Sequence, residues 1–135
     1  MPERRSDCPL SIGLELFGDK WTLLILRDLL FKKLSTFKEF ENSGERIATN
    51  VLSDRLQRLQ EQGIVTSQRH ETDARVVTYL PTGKGLDLLP VMVEIILWSA
   101  KYEKTAAPPK MIEKMTNDRD AFIDSVRARF TGPSA

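Results

Sequence analysis

The stretch from Thr36 to Gly63, TFKEFENSGERIATNVLSDRLQRLQEQG, constrains this chain more than any other. It reads as a short helix, a tight turn at Ser43-Gly44, and a longer helix from about residue 48 to 62. In the longer helix Leu52, Leu56 and Leu59 recur at i, i+4 and i+7 and form one apolar stripe. Thr49, Asn50, Ser53, Asp54 and Gln57 fall on the opposite or flanking surface. Those side chains are short and hydrogen-bonding, which suits a helix lying close against something polar. After Gly63, Ile64-Val65-Thr66 and Val76-Val77-Thr78-Tyr79-Leu80 are β-rich runs joined by a polar loop from His70 to Arg75, the pattern of a hairpin.

Helix, turn, helix, hairpin is the order of a winged helix-turn-helix. The expected class is α+β, mostly α, with added N- and C-terminal helices. In such a fold the helix at about 48–62 enters the major groove of double-stranded DNA, and the wing at about 66–79 lies on the flanking groove or backbone.

Bulk charge does not announce that partner. The chain has 135 residues, a net charge of +1 and a pI of about 7.8, so DNA binding must come from a local arrangement. Across positions 36–75, Lys38, Arg46, Arg55, Arg58, Arg69 and Arg75 stand against Glu39, Glu41, Glu45, Asp54, Glu61, Glu71 and Asp73. Only folding can segregate those signs. The length fits one domain. One cysteine excludes an intramolecular disulfide framework and fits a reducing compartment. MPERRSDCPL has basic residues but no apolar segment behind them, so it does not read as a signal peptide. Leu86 to Trp98, the most apolar run, is broken by Asp87, Pro90 and Glu94 and is too short to span a bilayer. A cytoplasmic protein with no membrane partner is expected.

Around the central stretch the chain reads as further helices. Residues 1–7 are charged and expected to be mobile. Pro9 suits a first helical turn capped by Cys8 or Asp7, with Leu10, Leu14 and Phe17 on one side and Gly18 ending it. Asp19 caps a helix over 20–31 whose Trp21, Leu23, Leu24, Ile25, Leu26, Leu29, Leu30 and Phe31 surround it almost completely. Such a helix is expected to be buried on nearly all sides, as the core post, with Arg27 and Asp28 escaping through a narrow strip or pairing. Ser35 or Thr36 caps the next helix, and Phe37 and Phe40 face the core. Thr82 caps a helix with Lys84 and Gly85 in its first turn. The apolar surface from Leu86 to Trp98 exceeds what one face needs and points to a second copy, and Pro90 is expected to kink that helix. Ala106-Ala107-Pro108-Pro109 is a break. Met111, Met115, Phe122, Val126 and Phe130 beyond it form an amphipathic pattern interrupted near Thr116-Asn117, and the last five residues are expected to fray.

At this level of detail the chain resembles a family. CysProLeu at 8–10, GlyAspLysTrpThrLeuLeuIleLeuArgAspLeu at 18–29 and Phe37-Lys-Glu-Phe40 are similar to motifs of HxlR-type transcriptional regulators. So are Val51-Leu-Ser-Asp-Arg-Leu56, Gly63-Ile-Val65, Arg75-Val-Val-Thr-Tyr-Leu80 and Thr82-Gly-Lys-Gly85, giving a match over about 8–103. The family is winged helix-turn-helix, in the broad MarR-like group. The resemblance implies a homodimer joined by its first and last helices, with two wings flanking a pseudo-palindromic operator, usually acting as a repressor. It divides the chain into a winged helix-turn-helix domain over 1–104 and a helical extension over 105–135, part of the same domain or of the dimer interface. Asn50 stands where the family often has Lys or Arg.

The candidate DNA-contacting set is Thr36, Lys38, Arg46, Thr49, Asn50, Ser53, Gln57, Arg69 and Arg75. Asn50 suits bidentate reading of adenine and Thr49 contact with a thymine methyl, while Arg69 and Arg75 suit phosphates or a minor groove. The plain alternative is a solvated helix face and an ordinary polar loop. Arg55 flanks the buried stripe and fits a structural ion pair better. His70 is the only histidine, so no histidine pair or metal cluster can form around it. Cys8 at a helix start is placed for a reactive thiol, and the resemblance implies a redox or electrophile switch working through an intersubunit disulfide, mixed disulfide or adduct. The alternative is a cysteine packed as a small apolar residue. No phosphate loop, metal-ligand spacing or activated nucleophile is present, so neither catalysis nor a cofactor is expected; Gly83-Lys84-Gly85 lacks the rest of such a loop. Two rival readings remain. One is a winged-helix protein-interaction module without DNA binding. The other is a regulator with no thiol switch whose small-molecule effector enters near Phe17, Trp21 and Trp98.

Overall fold

The structure, a computed structural model, describes residues 5–131. The expectations for residues 1–4 and 132–135 lie outside them. Helix α1 (Pro9–Phe17) starts with Pro9 in its first turn, where a missing N–H costs nothing, and Cys8 is its extended N-cap. It buries no residue, and Leu10 and Leu14 are 71% and 57% exposed. Helix α2 (Lys20–Leu30) is capped by Asp19, whose carboxylate accepts from the Trp21 and Thr22 N–H groups.

Ile25, Leu26, Leu29 and Leu30 of α2 lie at the centre of the core. Burial on nearly every side does not hold, however. Trp21, Leu23 and Leu24 are only half-buried, while polar Thr22 and Asp28 are buried. Both polar groups are satisfied inside. The Thr22 hydroxyl donates to Asp19, and Asp28 accepts two guanidinium bonds from Arg27 at 3.0 and 2.8 Å. Arg27 also donates to Glu45 at 2.6 Å, tying α2 to the turn that precedes the next long helix.

Helix α3 (Phe37–Glu41) begins with a capping box between Thr36 and Glu39 and buries Phe40; Phe37 is half-buried against the core. The chain turns through Gly44 at φ +105° and Arg46 at φ +60° into α4 (Thr49–Glu61). Leu52, Leu56 and Leu59 fix α4 against the core with at most 2% exposure, so the apolar stripe faces inward as its spacing requires. Gly63, at φ +72°, supplies the left-handed residue that ends the helix.

Strands β1 (Val65–Arg69) and β2 (Val77–Pro81) pair antiparallel, Val65 opposite Pro81 and Arg69 opposite Val77. The first strand starts one residue later and runs three residues further than the Ile64–Thr66 run, because Ser67, Gln68 and Arg69 gain ladder partners. A bridge between Thr36 and Thr78, and the Tyr79 N–H donating to the Ser35 carbonyl at 2.7 Å, bind the hairpin base to the start of the helix-turn-helix.

Thr82 caps the short α5 (Gly83–Leu86) as its spacing predicts. Pro90 does not kink the helix that follows. The turn at Asp87-Leu88 splits the apolar run, so Pro90 falls in the first turn of α6 (Leu89–Tyr102) and removes no internal bond. Helices α7 (Pro109–Asn117) and α8 (Arg119–Thr131), separated at Asp118, fold back on the domain. Met115 and Val126 are fully buried in the common core beside Ile123. Phe122 lies 6.1 Å from Phe31, and Arg127 pairs with Asp87 at 2.9 Å. Among the described residues no helix is long and apolar enough to cross a membrane.

Candidate nucleic-acid interface

Three inward leucines leave the other side of α4 free. Thr49, Asn50, Ser53 and Gln57 are all exposed. Ala48, the N-cap, offers no side-chain acceptor, so the first amides of this thirteen-residue helix lack the cap that Asp19 or Thr36 provides elsewhere. Open amides and the positive end of the helix dipole together attract a phosphate.

The folded chain also sorts the charges that the sequence leaves intermixed. Glu39 closes the α3 capping box, Glu45 holds Arg27, and Glu41 accepts from the Thr49 hydroxyl at 2.6 Å. Asp54 pairs with Arg55, Glu61 accepts from the Gln57 amide, and Asp73 pairs with Arg75. Of the seven carboxylates between positions 36 and 75, only Glu71 has no side-chain partner among the described residues. Lys38, Arg46 and Arg69, by contrast, face solvent without a carboxylate partner among the described residues. The carboxylates remain at the surface but most are engaged by neighbours, while among the described residues Lys38, Arg46 and Arg69 are not held by any carboxylate, and that difference favours an anionic partner.

Arg46 owes its position to the turn. Its backbone is left-handed at φ +60°, costly for a residue with a Cβ, and its side chain is exposed. Thr36 is placed differently from the rest of the candidate set: its hydroxyl is committed to the capping box and its backbone to Thr78. Thr49 and Gln57 are exposed but hold intramolecular hydrogen bonds, whereas Asn50 and Ser53 have none among the described residues.

At the hairpin tip Arg69 donates to the Ala74 carbonyl at 2.7 Å, and Arg75, its side chain 92% exposed, chelates Asp73. The Arg75 guanidinium holds the Asp73 carboxyl below the usual carboxylate range. His70 accepts from the Thr72 N–H through Nδ1 and serves the turn.

Behind the exposed face, Arg55 donates from Nε to Asp19 at 2.8 Å and from Nη1 to Asp54, the structural pairing its flanking position implies. Burial alone would raise the Asp19 carboxyl; the Thr22 hydrogen bond and the Arg55 guanidinium overcome this and bring it down to about 2. At the far end of α4, Lys84 donates from Nζ to the Gln62 carbonyl at 2.7 Å and satisfies the helix C-terminus. Local spacing does not reveal this role of Lys84, whereas the uncapped start of α4 is signalled by Ala48, a residue with no side-chain acceptor.

The sequence profile of the HxlR-like helix-turn-helix family matches residues 16–107. The chain belongs to the HxlR-like helix-turn-helix family. It is similar to BH0655 of Halalkalibacterium halodurans, an uncharacterised HTH-type transcriptional regulator, with 30% identity over 70% of this chain and 84% of the relative. It is also similar to Rv3095 of Mycobacterium tuberculosis, likewise an uncharacterised HTH-type regulator, with 34% identity over 73% of this chain; the chain spans 63% of that protein. Among solved structures, the reduced form of the transcriptional regulator YodB from B. subtilis superposes with a TM-score of 0.59 at 29% identity, covering 73% of this chain and 97% of YodB. This HxlR-like chain is therefore a winged-helix, DNA-binding protein of a transcription-regulator family, not of an enzyme family. The family match ends at 107, so α7 and α8 lie outside it.

Proposed function

We propose that this HxlR-like protein acts as a homodimeric repressor that reads a pseudo-palindromic operator with α4 in the major groove and the β1–β2 wing along the flanking backbone. The observation carrying this reading is the α4 outer face: Asn50 and Ser53 stand exposed and unengaged beside an uncapped helix start, on a helix pinned from behind by three buried leucines and Arg55. Lys38, Arg46, Arg69 and Arg75 would supply phosphate contacts around it. Leu10 and Leu14 on α1, with Ile95, Trp98 and Tyr102 on α6, give the exposed apolar surface through which two copies would join. Half-sites would then lie about 34–36 Å apart, one helical turn.

Gel-shift titrations at several salt concentrations test this. Asn50→Ala should weaken operator binding by about 1–3 kcal/mol and leave random DNA unaffected. Arg75→Ala should weaken both and lower the salt slope by about one. Equal losses on operator and random DNA for Asn50→Ala would refute base reading, and an absence of retardation on any DNA would favour the protein-interaction module.

A second reading concerns Cys8, which is exposed at the start of α1, next to the proposed dimer surface. YodB, the relative above, has been solved in reduced, quinone-bound and diamide-treated forms. Addition of the Cys8 thiolate to a quinone, or a disulfide between Cys8 of two copies formed when a two-electron oxidant such as diamide takes up the electrons and protons, would alter that surface. Mass spectrometry of Cys8 beside DNA titrations tests this; an unchanged response in Cys8→Ser would refute the thiol switch.

A further inference from the structure

Helix α8 lies outside the family match, and where it crosses the hairpin base it flanks an open cavity of about 400 Å³. The end of α2 and the loop after it supply one wall, β2 a second, and α8 the third. The interior is apolar, lined by Leu34, Tyr79, Leu80 and Phe130, and Leu80 remains 43% exposed there, large for an aliphatic side chain on a strand. The polar groups are of one sign. Lys33 and Arg129 both line the cavity, and neither meets a carboxylate among the described residues. Lys33 also sits at φ +57°, so its backbone departs from α2 in a left-handed turn. Burial raises the Tyr79 phenol above its ordinary value, so its hydroxyl stays protonated and able to donate.

An apolar slot with aromatic walls and two unpaired cations complements an organic anion with a flat apolar body. We propose that this cavity binds such a molecule, its carboxylate held between Lys33 and Arg129 and its ring or chain against Tyr79, Leu80 and Phe130. The occupant touches β2, whose Tyr79 N–H is bonded to Ser35, and α8 at once. It would therefore join the wing base to an element that the family match does not include. The proposal goes beyond DNA recognition, and its test reads no DNA contact, so its failure leaves the regulator reading untouched.

The test is a titration of the full-length protein, followed by NMR at the Tyr79, Leu80 and Phe130 signals, with 1-naphthoate, the neutral 1-naphthamide and inorganic phosphate. Naphthoate should shift those signals and saturate at about ten-fold lower concentration than either control. Lys33→Met and Arg129→Met, both at exposed positions, should each weaken naphthoate by about ten-fold while leaving naphthamide unchanged and the thermal midpoint within a degree or two. Naphthamide equal to naphthoate would overturn the cationic clamp. Phosphate equal to naphthoate would show a bare anion contact of the kind a DNA backbone makes. Shifts confined to α1 and α6 would place the ligand elsewhere.

Discussion

Replacing Asp19 by Asn probes the junction on which the proposed reading head depends. The Asp19 carboxylate caps α2 and receives Arg55 from α4, so a single charge binds the core helix to the exposed one. Its pKa falls from an ordinary 3.8 to about 2 in the folded protein, and such a shift converts at about 1.4 kcal/mol per unit. Solvent screening of this part-exposed pair reduces the net figure to about 1–2 kcal/mol. The folded pKa is depressed, so the contribution is present in full above the unfolded value and is lost as pH falls from about 4 through 2. Asp19→Asn should therefore cost about 1–2 kcal/mol in urea melts at pH 6, and the gap to wild type should shrink to about half by pH 3. Arg55→Met removes the pair from the other side, so the double variant should lose less than the sum of the singles. A gap constant from pH 6 to pH 3, or fully additive losses, would show that the charge pair does not join the two helices.

Gly85→Ala should be more damaging than Gly63→Ala, because the added Cβ would collide with the Ile64 carbonyl at the start of β1; a thermal midpoint lowered by less than Gly63→Ala, which costs about 1 kcal/mol through its positive φ, would contradict this. Met115→Ala should cost about 2–5 kcal/mol in denaturant unfolding, since the side chain is wholly buried in the shared core; a loss under 1 kcal/mol would mean that α7 packs only loosely. Trp98→Asp, at a side chain 65% exposed, should leave the protomer folded but shift sedimentation toward monomer, and an unchanged sedimentation coefficient would exclude α6 from the dimer surface.

The features legible in the sequence were local. Spacing narrows the cap of α3 to Ser35 or Thr36, of which Thr36 is the one used, and the Leu52–Leu56–Leu59 stripe fixes which side of α4 is buried. Asp19 and Thr82 announce helix starts for the same reason. Features that depend on distant partners were hidden. Pairing of Arg27 with its neighbour Asp28 is open to a reader of the sequence, but Glu45, which Arg27 also holds, comes from a distant turn, and Pro90 reads as a kink until the preceding turn divides its helix. The same limit applies to the candidate contact surface. Its residues could be placed on one helix face from spacing, but the withdrawal of Glu41, Glu45 and Asp54 into intramolecular bonds required folded geometry. An amphipathic tail announces that it needs a partner surface, and periodicity cannot say which one; Met115 and Val126 find it on their own domain.

The return of α8 to α2 bears on how the chain acquires its shape during synthesis. Phe122 reaches Phe31, and Ile123 and Val126 join Leu29 and Leu30, so residues made early wait for residues made late. Until α8 has left the ribosome, part of the leucine-rich post stays open to water and to other chains. Contacts of such long sequence separation form slowly, so this core is completed only after α8 has emerged.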